Sequence, residues 1–387
     1  MRATDAPPDP STVPLRLLCG LLLACSTLLF GIYLWFVLRH EPILGDFFVL
    51  WAAAGQALHE PLATVYDPAA FTAYKWAYTQ GRLAQYPFLY PPHTALLLLP
   101  LARLPYGAAL LCWDLVSLAV YLAGAWLLLW PRWTTLAALV APATVVCLLS
   151  GQGGLLCSGL ALLGFALLPR RPLWAGALLG LLVLKPQFAL LPLLVLAGSG
   201  QWRAGIAALA VVAALVAGSS AVFGIDAWSA WLRHLGDFSG NVSSSQAHRE
   251  YGITVYFALL ALGLDHRVAL ALQALVSLAV LWLVGRALRR SVRAATTALP
   301  LLGIYLATPY AAAYDLPAMS AACLILLASG WRNGFHNGEL LLLTVAWSLP
   351  FVVMFSPVPL YAVAAATLAL LFALALRQAA KGSPAIG

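Results

Sequence analysis

Apolar runs recur along the whole chain, at 15–38, 93–104, 106–129, 134–149, 155–168, 173–197, 204–223, 253–264, 268–285, 296–308, 316–329, 338–355 and 358–376. Pro, Gly, Trp and Arg punctuate them. The runs lack the strict apolar–polar alternation of a barrel, and most exceed the roughly 9–11 residues of a barrel strand. In lipid only helices and closed barrels satisfy their own backbone groups. The pattern therefore predicts an all-helical polytopic membrane protein, with residues 1–387 as one transmembrane domain. The first run contains Leu22-Leu23-Ala24-Cys25, which loosely resembles a lipoprotein cleavage box. The apolar stretch continues through Phe36, so it reads as a retained first helix whose N-terminal side is cytoplasmic.

Composition sharpens this picture. Of 387 residues, 63% are hydrophobic and 9% charged, against about 25% charged in a soluble domain. A water-soluble enzyme, a disordered chain and a nucleic-acid binder are all excluded. The net charge of +8 becomes a topology signal, because Lys and Arg gather on the cytoplasmic side. Arg170-Arg171, the group Arg286, Arg289, Arg290 and Arg293, and Arg377 with Lys381 mark that side. One threading satisfies all of them. It lets 93–104 and 253–264 dip in without crossing, breaks 173–197 at Lys185-Pro186, and gives about 12 crossings with both termini inside. Its alternative, a single Pro-kinked span over 173–197, makes 253–264 a crossing and turns the 224–252 loop inward. The six cysteines form no CxxC pair and read as buried packing residues.

Two outer loops are long, 39–92 and 224–252. The first is rich in aromatics, from Trp51 and Tyr66 to Phe88 and Tyr90. That composition suits juxtamembrane helices at the membrane surface.

Ionisable groups at membrane depth are costly and mark function. Asp46 follows the first span in an apolar setting that would raise its pKa, as a base for a hydroxyl nucleophile requires. Equally, it fits a helix N-cap. Tyr90 and His93 belong to the rigid segment Tyr86-Pro87-Phe88-Leu89-Tyr90-Pro91-Pro92-His93, which also fits a helix beginning with Pro in its first turn. Gln152, in Ser150-Gly151-Gln152-Gly153-Gly154, offers a sugar or phosphate contact or sits in a plain turn. Lys185 and Gln187 lie in Leu184-Lys185-Pro186-Gln187. A buried lysine needs an anion, here a phosphate or lipid headgroup, or else an internal acid such as Asp114 or Asp315. His248 and Arg249 in the second loop suit a phosphate or are a solvated face. Tyr310 follows Thr308-Pro309, and Tyr314-Asp315 places a carboxylate at the outer end of a span pair, as a site residue or a cap. In the threading with 12 crossings all of these fall on the outer side.

A carboxylate base, cations for a phosphate and aromatic platforms at the outer face suit sugar transfer from a lipid-linked donor. A phosphate leaves readily, so the chemistry needs a base for the acceptor hydroxyl and fixed positive charge for the leaving group. A transporter for a lipid-linked substrate and a non-catalytic assembly subunit are the alternatives.

The order Gly45-Asp46-Phe47, Leu62-Ala63-Thr64-Val65-Tyr66-Asp67, Phe88-Leu89-Tyr90-Pro91-Pro92, Pro100-Leu101-Ala102-Arg103-Leu104-Pro105, Trp113, Gly151-Gln152, Lys185-Pro186, Thr308-Pro309 and Tyr314-Asp315-Leu316 resembles glycosyltransferase family 87 over roughly residues 40–320. The resemblance implies a C-type membrane glycosyltransferase fold and a polyprenyl-phosphate-sugar donor, mannose first among sugars. It further implies a glycolipid or glycan acceptor and inverting single displacement with Asp46 as base. The site would face the periplasm or outside of a bacterial plasma membrane. No cofactor is required on this reading, although Asp46 leaves room for a divalent ion. Where the family places a histidine after Ser/Thr-Pro, this chain has Tyr310.

Overall fold

The computed structural model describes residues 45–79, 86–241, 252–290, 294–336 and 338–380, with scattered positions between 20 and 35. Side chains are described at the same positions except 238–241, 294 and 295. The expected first span lies largely outside the described residues, and His248 and Arg249 lie wholly outside them.

The described secondary structure is helical: α1 Phe47–Gln56, α2 Pro68–Thr79, α3 Pro92–Ala102, α4 Tyr106–Leu128, α5 Trp133–Leu139, α6 Pro142–Ser150, α7 Gly154–Leu167, α8 Pro172–Gly180, α9 Pro186–Gly198, α10 Trp202–Phe223, α11 Ile225–Asn241, α12 Val255–Ala261, α13 His266–Arg290, α14 Ala294–Leu306, α15 Pro317–Asn333, α16 Glu339–Phe355 and α17 Tyr361–Ala380. Short 3-10 turns lie at Leu62–Tyr66, Leu181–Leu184 and Ala313–Asp315. Proline opens α3, α6, α8, α9 and α15. It suits the first turn, where its missing N–H is not needed.

Five stretches are long and apolar enough to cross a membrane: Tyr106–Leu128, Trp133–Ser150, Trp202–Phe223, His266–Arg290 and Tyr361–Ala380. The count of about 12 is therefore not reached by helix length among the described residues. The apolar runs are the expected ones, but Pro186 splits one of them, and many of the others form helices of only 10–17 residues.

Glycines set the packing order. A Cβ on Gly124 would stand 2.6 Å from Leu162 Cβ, and one on Gly159 2.5 Å from Tyr121 N. The contacting numbers rise together, so α4 and α7 run parallel at a separation that small residues permit. Gly176 and Gly180 meet Ala204 and Ala208 in the same rising order, so α8 and α10 are also parallel. Between them α9 runs back, and Arg289 Nε on α13 donates to Gly198 O at its end, 2.5 Å away. The chain therefore turns at Lys185, which points away from the arginine-rich end of α13. This is the broken form of the 173–197 run, not one kinked span.

Depth follows from two hydrogen bonds along α4. Trp113 Nε1 donates to Gly151 O at 3.1 Å, and Tyr121 hydroxyl donates to Pro317 O at 2.9 Å. Residues 150–153 thus sit beside Trp113, roughly 10 Å along the helix from its Tyr106 end. The outer surfaces of α4 and α10 carry Leu111, Leu115, Trp126, Ile206, Leu209 and Val222, all exposed, as a lipid-facing surface requires. Cys112 shares that exposed face. The reading of all cysteines as buried is corrected there, because Cys112 lies on the outward stripe of α4. Cys147, Cys157 and Cys323 are buried.

Candidate active site

Asp46 begins α1 without capping it: its backbone is helical and its side chain makes no cap hydrogen bond. Its N–H donates to Ser150 O at 2.8 Å, which ties the start of α1 to the α6–α7 turn. Gly151 shapes that turn at φ 64°, a conformation that favours glycine. The turn presents Gln152, whose Nε2 donates to Asp46 Oδ2 at 2.6 Å. Tyr90 hydroxyl in turn donates to Gln152 Oε1 at 3.0 Å. Gln152 is thereby a turn residue that also joins Tyr90 to Asp46. Burial pushes the Asp46 carboxyl above the ordinary range, opposed by the Gln152 hydrogen bond and the Lys185 charge.

Lys185 sits at the α8–α9 apex, and its Nζ lies 2.6 Å from Asp315 Oδ1, with both side chains buried. Of the two internal acids weighed for it, Asp315 is the partner. Asp315 Oδ2 also accepts from Ala312 N at 3.1 Å, and its carbonyl accepts from Tyr305 hydroxyl at 2.6 Å. It therefore closes a local turn and pairs the lysine at once. The Lys185 ammonium lies 5.4 Å from the centroid of Tyr314 and 5.5 Å from that of Phe188. An ammonium has three donors, so one ion pair leaves capacity for another anion.

Tyr310 packs its ring 6.0 Å from Phe257. Burial raises its hydroxyl pKa, Asp315 adds to this and Lys185 opposes it. It is thus within electrostatic reach of the cluster. His93 stands on the first turn of α3, where Pro92 opens the helix as the sequence allows. Its Nε2 is 3.1 Å from Val183 O, and the neighbouring Thr94 hydroxyl donates to Leu184 O at 3.2 Å. Both contacts brace the chain just before Lys185. Gln187 is half-buried on the first turn of α9, and among the described residues no hydrogen bond joins it to the cluster. Asp46, Tyr90, Gln152, Lys185, Tyr310, Tyr314 and Asp315 are brought together, and His93 lies alongside. Among the described residues no three His, Cys, Asp or Glu side chains gather as a metal site.

A family model for glycosyltransferase family 87 matches residues 88–309, more than half of the chain. The chain belongs to glycosyltransferase family 87. No curated protein and no solved structure matches it. This family 87 chain is a membrane glycosyltransferase, acting between a sugar donor and an acceptor. The match covers Tyr90, His93, Gln152 and Lys185. Asp46 precedes it, and Tyr310, Tyr314 and Asp315 follow it. The folded geometry joins these residues to the matched region.

Two supports of the cluster were not singled out as site candidates from sequence. Tyr66 hydroxyl donates to Tyr90 O at 2.9 Å and holds the segment that carries Tyr90. Lys75 is buried on α2, donates to Tyr86 O, and lies 4.3 Å over the Phe71 ring. Burial pulls its pKa down to about 8. Phe71, Lys75 and Thr79 are the buried residues of α2, and their spacing of four would have marked one inward face.

Proposed function

We propose that this glycosyltransferase moves a hexose, mannose first, from a polyprenyl-phosphate sugar to a hydroxyl of a glycolipid or glycan. The reaction takes place at the outer face of a bacterial plasma membrane, with no nucleic acid and no resident cofactor in the chemistry. The observation that carries the reading is the convergence of the Asp46 carboxylate and the Lys185 ammonium on one cluster, with Gln152 on the carboxylate.

In this reading Asp46 accepts the proton of the acceptor hydroxyl. The acceptor oxygen attacks the anomeric carbon as the bond from that carbon to the phosphate oxygen breaks. The phosphate leaves with the electron pair, and the sugar inverts. A base with a raised pKa is better matched to a hydroxyl than an ordinary carboxylate. Lys185, oriented by Asp315, meets the departing phosphate with fixed positive charge. Tyr310 hydroxyl, in place of the family's histidine, meets the donor.

The membrane arrangement in this reading is a C-type fold with twelve passages, counting the first apolar run and both arms of the α8–α9 turn. The parallel pairs α4/α7 and α8/α10, and the arginines at the ends of α13, α15 and α17, support it. Lys185 and residues 150–153 then lie together on the outer side.

The test uses membranes from cells with and without the chain, given radiolabelled polyprenyl-phosphate mannose, galactose and glucose, with the pentose arabinose alongside. One hexose donor should give a chain-dependent product whose new bond has the inverted configuration by NMR. Retained configuration, or no chain-dependent transfer from any of the three hexose donors, contradicts the proposal.

A further inference from the structure

Among the described residues, three buried nitrogens lack a hydrogen-bond partner where α11 covers the segment leading into α3: His93 Nδ1, Trp228 Nε1 and His234 Nε2. Buried polar groups are nearly always satisfied, and each exception asks for a cause. His93 is 1% exposed, and its Nε2 faces Val183 O. A carbonyl accepts, so Nε2 carries the proton and Nδ1 is left as an acceptor. Trp228 Nε1 can only donate. The two rings are 5.6 Å apart. A group that donates to one and accepts from the other is a hydroxyl oxygen, from a sugar or from water.

The third nitrogen adds a second place along the helix to be answered. His234 lies six residues beyond Trp228 on α11, roughly 9 Å along the helix, and its ring faces Tyr66 at 6.1 Å. One water that answers His93 and Trp228 would not reach His234. Separate waters, or one ligand with several hydroxyls, would answer all three. The surrounding surface is aromatic: Trp228 and Trp231 meet edge-on at 5.6 Å, and Trp231 Nε1 donates to Leu89 O at 3.1 Å. Aromatic walls with a few placed polar groups are the ordinary lining of a small-molecule site. Burial lowers the pKa of both histidines, which favours the neutral rings that this pairing needs.

The position joins this row to the reaction centre. His93 is three residues from Tyr90, which bonds Gln152 beside Asp46. Through Val183 it also touches the turn that carries Lys185. We propose that His93, Trp228 and His234 form a hydroxyl-reading subsite that orients the hexose being transferred. The proposal rests on the sugar-transfer reading and names the residues that select the sugar.

The test titrates detergent-purified full-length protein with methyl α-mannoside, α-glucoside and α-galactoside, and with their monodeoxy analogues, by saturation-transfer NMR. The variants are Trp228→Phe, His234→Phe and Asp46→Asn. At least one hexoside should bind the wild type. Trp228→Phe, which keeps a ring and loses the N–H, should weaken it about fivefold, the effect of one neutral hydrogen bond. One deoxy analogue should lose the same factor on wild type and nothing further on Trp228→Phe. Asp46→Asn should bind as wild type does while losing transfer. No hexoside binding to wild type, or wild-type binding by both Trp228→Phe and His234→Phe, overturns the subsite and leaves water as the occupant. Trp228-dependent binding without transfer from any polyprenyl-phosphate sugar sinks the transfer reading and leaves the subsite standing.

Discussion

Gln152 Nε2 donates to Asp46 Oδ2 at 2.6 Å across 106 residues of sequence. This bond stabilises the anion and so pulls down a carboxyl that burial pushes up. Replacing Gln152 with Leu removes the downward pull, so the Asp46 pKa rises further. The base works only when deprotonated, and activity falls as the pH drops through its pKa. The acid limb of the kcat/KM profile should therefore move to higher pH in Gln152→Leu. An unmoved limb with a uniformly lower rate would assign Gln152 to substrate contact alone.

The Lys185–Asp315 pair separates structure from chemistry. Removing one partner of a buried pair leaves an uncompensated charge, at a cost of about 3–5 kcal/mol, whereas replacing both with apolar groups is often neutral. Lys185→Met should lower thermal stability in detergent markedly. The double variant Lys185→Met with Asp315→Leu should regain most of that stability and still fail to transfer sugar. Recovery of transfer in the double variant would remove Lys185 from the chemistry.

Gly154 lets the α7 start approach the Tyr314-Asp315 turn. A Cβ there would run into Tyr314 O and stand 3.1 Å from Asp315 Cα. That backbone leaves little room to yield, and Cys147 Sγ stands 3.2 Å away, so Gly154→Ala should cost about 1–3 kcal/mol. Because the displaced turn carries the Lys185 partner, kcat should fall with it. Thermal unfolding and initial rates on the same preparation check both.

Tyr66 acts through Tyr90, which it holds by the backbone. Tyr66→Phe should cost about 1 kcal/mol of stability, the worth of one hydrogen bond. Its effect on the pH profile should be smaller than that of Tyr90→Phe, which loses the bond to Gln152 directly. Equal shifts in the two profiles would contradict this order.

How much of the fold and site was legible in the chain differs from residue to residue. The break at Lys185-Pro186 was readable because a charge inside an apolar run is costly in lipid, and the proline beside it stops the helix there. The helical class was readable because lipid admits few backbones. The partner of Lys185 was not, since Asp114 and Asp315 are both remote in sequence and only the α8–α9 turn selects between them. Whether Asp46 caps α1 or serves as a base was open too, because both roles need the same acid at the same place; in the fold its side chain makes no cap and turns to Gln152. The short helices follow the apolar runs closely, as Gly154–Leu167 follows the run 155–168, but the pattern does not mark whether a run that short crosses the membrane. Nothing in the sequence set Trp228 apart, and its nitrogen stands out only once α11 packs against His93.

The central claim is that Asp46 is the base for sugar transfer. The most direct measurement compares wild type with Asp46→Asn at equal membrane abundance, using the radiolabelled donor that the wild type accepts. Asparagine keeps the shape and cannot take the proton, so transfer should fall by at least about a hundredfold, the low end of what a positioned base contributes. Asp46→Asn transferring at a rate near wild type would contradict the account.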